Sequence, residues 1–294
     1  MTRPSLGFIG LGAMGAPIVH RLLDAGYTVS VWNRAPAKLE PALAAGARAA
    51  PTPAALCAAS DVVLVCVTDT TAVEQVVFGP DGVIDGAAEG KLLVDHSTIH
   101  PLECRRFAER LRADGAMGWV DAPVSGGVAG AQAGRLVIMA GGAAADVERL
   151  GTFAGAYSQR VTRMGECGAG QATKTCNQMI IGGTVAVVAE ALNFAARFGV
   201  SASQLPDCLA GGWADSAVLQ DHARRMAAAD FSSDNAATIM LKDMNIACDM
   251  GRETGAPMPV TALTAELYRL LISMGHSDKG QIGLIALYAD GKLD

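Results

Sequence analysis

Aromatic rings are scarce in this sequence, at 5% of 294 residues, so the core has to be built from Ala, Val, Leu, Ile and Met, a composition suited to close helix packing. Charge is sparse too, at 18%, and its balance is acidic, with a net charge of −6. No cluster of Lys and Arg breaks that balance. A nucleic-acid partner is therefore not expected, because a phosphate backbone is held mainly by clustered cations. Cys-x-x-Cys pairs are missing, and the seven cysteines are odd in number and scattered, which excludes a disulfide framework and reads as reduced, mostly buried thiols of a cytoplasmic protein. Uncharged runs are short: Thr175 to Ala189, the longest in the second half, falls below a bilayer span and includes Asn177, Gln178 and Thr184, so a buried helix and no membrane partner are expected. Glycine interrupts the first apolar run, so neither a signal nor a transit peptide is expected.

What is present begins with a strand, Leu6–Ile9, followed at once by Gly10-Leu11-Gly12-Ala13-Met14-Gly15 and a helix running to about Ala25. Thr28–Trp32 is the next strand, and a Gly-x-Gly-x-x-Gly turn set between a strand and a helix in this way points to a dinucleotide. Gly10 permits the turn, Gly12 lets the backbone approach a pyrophosphate, and Gly15 lets helix and strand pack closely. The second strand ends in Trp32-Asn33-Arg34, with no carboxylate to hold a ribose 2′-hydroxyl. Arg34 offers a fork of donors suited to a 2′-phosphate, so Asn33 and Arg34 favour NADP(H), with NAD(H) as the alternative.

Further strands are expected at Asp61–Val67, Lys91–Asp95, Trp119–Val124 and Leu136–Ala140, and short helices at Ala37–Ala45 and Thr71–Val77. Val67 and Thr68 follow one strand end and His96-Ser97-Thr98 another, which makes them candidate walls of a nicotinamide site. His96 and His100 invite a metal reading. Pro101 starts a helix after them and no third ligand is near in sequence, so no metal is expected. Ser125-Gly126-Gly127 follows Trp119–Val124 as a glycine turn with a hydroxyl, a small nest for a carboxylate.

Beyond about Gly165 the periodicity becomes helical, with helices expected at Ala172–Arg197, Gln204–Leu209, Ser216–Ala228, Ala237–Thr254 and Val260–Met274. The fold class is thus an α/β Rossmann-type N-terminal domain, residues 1–164, followed by an all-α C-terminal domain, residues 165–294. Gly168-x-Gly170-x-x-x-Lys174-x-x-Asn177 opens the first of these helices and sets Lys174 and Asn177 on one face. Gly182-Gly183 would let other helices pack very close. Trp213 is a candidate for either a pocket wall or the core.

Together these motifs resemble the β-hydroxyacid dehydrogenase family, which includes 3-hydroxyisobutyrate dehydrogenases and tartronate-semialdehyde or glyoxylate/succinic-semialdehyde reductases. Four segments carry the resemblance along nearly the whole chain: Phe8–Gly15, Asp121–Gly127, Gly168–Asn177 and Lys242-Asp243. It implies that Ser125, Gly126 and Gly127 bind a substrate carboxylate, that Lys174 is the catalytic acid/base, and that Asn177 holds the substrate. It also implies that Thr98 contacts the nicotinamide end and that Lys242 reaches the cofactor site. Members with Asn-Arg after the second strand tend to prefer NADPH. The implied activity is interconversion of a small β-hydroxyacid and its semialdehyde by a cytoplasmic homodimer or homotetramer. A departure lies at Asp278–Leu284, where many relatives carry a different pattern. Two rivals remain: an imine reductase on the same scaffold, though such relatives usually replace the lysine, and a non-catalytic dinucleotide-binding module.

Overall fold

In the computed structural model, which describes residues 3–232 and 236–288, the chain opens with β1 (Leu6–Ile9), α1 (Gly15–Asp24) and β2 (Val29–Trp32). All four β1 residues are buried, as a parallel strand covered on both faces requires. α1 turns Ile18, Val19 and Leu22 inward at helical spacing. There follow α2 (Glu40–Ala44), β3 (Arg48–Ala49), α3 (Pro53–Ala58), β4 (Val62–Val65), α4 (Thr70–Phe78), β5 (Leu92–Asp95), α5 (Pro101–Gly115) and β6 (Gly118–Asp121). These six strands pair in parallel in the order β3-β2-β1-β4-β5-β6. The order reverses between β1 and β4, and in such sheets ligands bind outside the strands' carboxyl ends at that point.

The Trp119–Val124 strand is interrupted. β6 stops at Asp121 and β7 (Val124–Ser125) is separate, because Pro123 brings no N–H to a ladder; its carbonyl accepts from Met139 N instead. α6 (Gly127–Gln132), β8 (Leu136–Gly141), α7 (Ala144–Ala154) and β9 (Ser158–Gly165) complete the α/β part. β8 runs antiparallel to β6 and β7 and parallel to β9. β9 was not expected from the sequence, since its mostly exposed residues carry no apolar alternation. The 37–45 helix is reduced to a 3-10 turn, Pro36–Lys38, and α2, whose first turn accommodates Pro41.

The chain divides into two compact units, 1–174 and 175–294. In the first, one core layer is built on Leu6, Phe8, Ile18 and Val94, and the other on Ile9, Val63, Phe107 and Trp119. α8 (Ala169–Phe198) begins in the first unit and continues into the second, where α9 (Leu205–Leu209), α10 (Arg224–Ala227), α11 (Ala237–Thr254) and α12 (Pro259–Ser273) follow. The 216–228 segment contains a π-helical stretch, Leu219–Ala223, ahead of α10. Val185, Ala189, Leu192, Met244, Tyr268 and Leu271 form the second core. A Cβ on Gly182 would stand 3.1 Å from the Met244 sulfur, so glycine is what admits α11 so close to α8. By length and composition alone, α8 is also apolar enough to cross a membrane.

Candidate active site

The glycine turn sits at the sheet's reversal point. Gly10 adopts φ +101°, donates to Trp32 O at 3.0 Å, and has no room for a side chain against Cys66 O. Gly15 is packed so tightly on Gly10 O and Phe8 that a Cβ would overlap them. Gly12 differs, since a Cβ there would meet nothing within 4 Å. Two glycines are thus dictated by packing, and the third keeps open space beside the start of α1. Met14, the residue capping α1, supplies no side-chain acceptor, so the opening amides point at a ready-made anion site. Leu11 is buried and Ala13 exposed. The cradle fits a dinucleotide pyrophosphate.

Asn33 ties this turn to the end of β2. Its Oδ1 accepts from Leu11 N at 2.9 Å and its Nδ2 donates to Ala35 O at 2.9 Å. The side chain is therefore engaged in holding the loop, while the next residue, Arg34, is exposed. Beyond β4 and β5, Val67 N donates to Ser97 Oγ at 3.0 Å, linking two of the strand ends. Thr68 Oγ1 donates to Asp69, which caps α4 by accepting from Ala72 N. Thr98 is half-buried in the same set of strand ends.

His96 is fully used inside the fold. Nδ1 donates to Ala122 O at 2.6 Å, which leaves Nε2 to accept from Tyr157 Oη at 3.0 Å, and burial pushes the imidazole pKa down to about 4. His100 caps α5 by accepting from Leu102 N.

The start of α8 is fastened to the strand ends by Asp121 and Gln171. Asp121 Oδ1 accepts from Gly168 N and Oδ2 from Gln171 N, both at 2.8 Å. Burial raises the Asp121 carboxyl pKa, and those two amides oppose the rise. Gln171, with no exposed surface, donates to Ser97 O at 2.8 Å and accepts from Ile99 N at 3.1 Å. Gly170 is required, since a Cβ would stand 2.5 Å from Met139 O. One turn further on, Lys174 is buried and its Nζ donates to Val124 O at 2.8 Å. That carbonyl belongs to the residue preceding Ser125, Gly126 and Gly127. Gly126 and Gly127 take φ +126° and +63°, and a Cβ at Gly127 would meet nothing within 4 Å. The lysine of one motif and the glycine turn of another thus come together within the first unit.

In the second unit, Asn177 Nδ2 donates to Gln178 Oε1 at 2.9 Å, and Gln178 Nε2 donates to Asp243 Oδ2 at 2.6 Å. Lys242 Nζ lies 3.1 Å from Asp243 Oδ1 as an ion pair, off the direction of a hydrogen bond. Gln178 and Asp243 therefore bridge two residues singled out from the sequence; Gln178, a polar residue at a buried position of an apolar helix, was the available signal. Trp213 is wholly exposed, which removes the core alternative. Cys176 and Cys208 are exposed as well, against the expectation of mostly buried thiols. Cys104, Asp121 and Cys167 bring donor atoms within 4.8 Å of one another. This grouping of residues distant in sequence was not legible beforehand.

Residues 5–165 match the NAD binding domain of 6-phosphogluconate dehydrogenase, and residues 168–288 match the family described as NAD-binding of NADP-dependent 3-hydroxyisobutyrate dehydrogenase. The chain is 36% identical to 2-hydroxy-3-oxopropionate reductase of Escherichia coli K12 over 95% of both chains. A solved structure of Mycobacterium tuberculosis 3-hydroxyisobutyrate dehydrogenase with L-serine superimposes with a TM-score of 0.88 at 29% identity, covering 97% of this chain and 99% of that one. An imine reductase from Pseudomonas sp. is more distant, at 22% identity and a TM-score of 0.63 over 96% of this chain and 98% of that one; it shares the fold.

Proposed function

The chain belongs to the β-hydroxyacid dehydrogenase family, and from that premise we propose that Lys174 is its general acid/base, acting on a small carboxylate-bearing semialdehyde with NADPH as the preferred reductant. The protein is an NAD(P)-dependent oxidoreductase that interconverts a hydroxyacid and its semialdehyde. One observation carries the proposed mechanism: Nζ of the buried Lys174 donates to Val124 O, at the edge of the Ser125–Gly127 turn.

The nicotinamide ring, when bound, supplies or accepts the hydride. Charge then builds on the substrate's carbonyl oxygen, and a buried cation able to give up a proton stabilises it and completes the alcohol. Lys174 does both. In the reverse direction the neutral amine accepts the hydroxyl proton. Ser125, Gly126 and Gly127 receive the substrate carboxylate through backbone N–H groups of a turn in which two glycines take positive φ. Asn177 holds the substrate, oriented by Gln178, and Lys242 reaches the cofactor, positioned by Asp243.

Gly10, Leu11, Gly12, Ala13, Met14 and Gly15 cradle the pyrophosphate, and Val67, Thr68 and Thr98 flank the nicotinamide half. Arg34 takes the 2′-phosphate; its exposure and the missing carboxylate after β2 support this preference over NADH. Residues 1–164 form the dinucleotide-binding domain and 165–294 the substrate and oligomerisation domain. The cytoplasm is the proposed location, and a homodimer or homotetramer is supported by two apolar stripes in the second unit, Ile180, Val187 and Phe194 on α8 and Val260, Leu263 and Leu270 on α12.

The test is NADPH oxidation with glyoxylate, succinic semialdehyde, tartronate semialdehyde, methylmalonate semialdehyde and, beside them, a cyclic imine, where turnover of a semialdehyde or glyoxylate is the expected result. Turnover confined to cyclic imines, or of none, would remove it.

A further inference from the structure

The sulfurs of Cys104 and Cys167 lie 3.6 Å apart although 63 residues separate them in the chain. Cys104 stands in the first turn of α5 with no exposed surface, whereas Cys167 is half-buried immediately before Gly168 and α8. Contacts on both sides of Cys167 bring it to Cys104. Arg105 Nε donates to the Cys167 carbonyl at 3.1 Å, and the next residue, Gly168, gives its N–H to Asp121. Both oxygens of Asp121 already accept backbone N–H groups. Cys104, Cys167 and Asp121 bring three donors together, one fewer than the four of a structural metal site, so the contact points to sulfur chemistry instead.

We propose that Cys104 and Cys167 are a hydroperoxide-responsive thiol pair that closes to an intramolecular disulfide at the start of α8. In the first step the Cys167 thiolate attacks one peroxide oxygen, the O–O bond breaks, and Cys167 becomes a sulfenic acid as hydroxide leaves. In the second, the Cys104 sulfur attacks the Cys167 sulfur. The S–S bond forms, the S–O bond breaks, and the oxygen departs as water with the Cys104 proton. Two thiols lose two electrons in all, and one hydrogen peroxide is reduced to two waters.

Exposure sets the order of these steps, because Cys167 is half-buried whereas Cys104 has no exposed surface. The hydrogen bond to Cys167, and burial after it, hold the Cys104 thiol well above the usual range, which suits a partner that stays a thiol until the sulfenic acid forms beside it. Closure brings the sulfurs from 3.6 Å to about 2.0 Å. Cys104 is held in a helix; Cys167 lies between Gly165 and Gly168, both at positive φ, so its segment is the one that moves. That movement acts on the Gly168–Asp121 bond and hence on the helix start ahead of Lys174. The consequence for turnover rests on the proposed role of Lys174; the disulfide itself does not.

The test uses the full chain, reduced, desalted and treated with hydrogen peroxide, followed by alkylation of the denatured chain and peptide mapping. A Cys104–Cys167 cross-linked peptide is expected, with two of the seven thiols consumed and both restored by dithiothreitol. In a Cys104→Ser variant dimedone should label Cys167, while in Cys167→Ser Cys104 should remain alkylatable. Turnover should fall with cross-linking and return on reduction. Oxidation of the exposed Cys176 and Cys208 while Cys104 and Cys167 stay alkylatable at every dose would overturn the assignment, as would dimedone labelling of Cys104 ahead of Cys167. A cross-link without a change in turnover would keep the disulfide and remove its coupling to Lys174.

Discussion

Lys174 Nζ donates to the backbone carbonyl of Val124 at 2.8 Å, so the one buried lysine among the described residues is held at the mouth of the Ser125–Gly127 turn. A lysine spends about 2 kcal/mol of rotamer freedom when it is fixed in this way. The Asp121 and Gln171 bonds that seat its helix offset that cost locally.

The glycine turn gives a paired prediction. Gly12→Ala should fold with an unchanged melting temperature, since a Cβ there meets nothing within 4 Å, yet it should bind NADPH more weakly because the methyl occupies the pyrophosphate's space. Gly15→Ala should lower the melting temperature, because its Cβ overlaps Gly10 O and Phe8. Calorimetry and NADPH titration of both variants check this. Equal melting losses in the two would contradict it.

For the cofactor, Arg34→Ala should lower kcat/KM for NADPH by about 10- to 100-fold, the loss of a charge-assisted contact worth about 1.5–3 kcal/mol. The value for NADH should change by less than about threefold. Steady-state kinetics with both cofactors measure the ratio, and equal losses would assign Arg34 to stability rather than to the 2′-phosphate.

His96 makes stability depend on pH. Its folded pKa, pushed down to about 4, lies below the ordinary value of 6.5, so the unfolded chain binds the extra proton first as pH falls. Its contribution is complete above pH 6.5 and is lost on acidification towards pH 4. At pH 5 the loss should be about 2 kcal/mol relative to pH 7.5. Urea denaturation of the wild type and His96→Gln at both pH values isolates it, with the smaller pH difference expected in the variant.

Gln171→Leu should destabilise the first unit and slow turnover together. It strips Ser97 O and Ile99 N of buried partners, at about 1–3 kcal/mol for each orphaned group. Denaturant melts and kcat measured on one preparation test the pairing of the two losses.

Much of the fold is legible in the sequence because its signals are local. Gly10, Gly12 and Gly15 stand at a fixed spacing after an apolar run, and the change from α/β alternation to continuous helical periodicity near Gly165 marks the all-α part. What escapes is non-local. β9 carries Gln159, Arg160 and Arg163 on an exposed edge, so no apolar pattern announces it. The break at Pro123 is visible only once β8 supplies Met139 as the partner of its carbonyl. In the candidate site, Lys174 stands out as a charge in an apolar run. Asp121, Gln171 and Gln178 act through partners 47 to 74 residues away, which no spacing rule reveals.

The most direct measurement is single-turnover NADPH oxidation by Lys174→Ala beside its NADPH affinity, using the best semialdehyde of the panel. The account predicts a rate about 100- to 10,000-fold below wild type with cofactor affinity within about threefold. A variant that kept most of its rate would contradict the assignment of Lys174 as the acid/base.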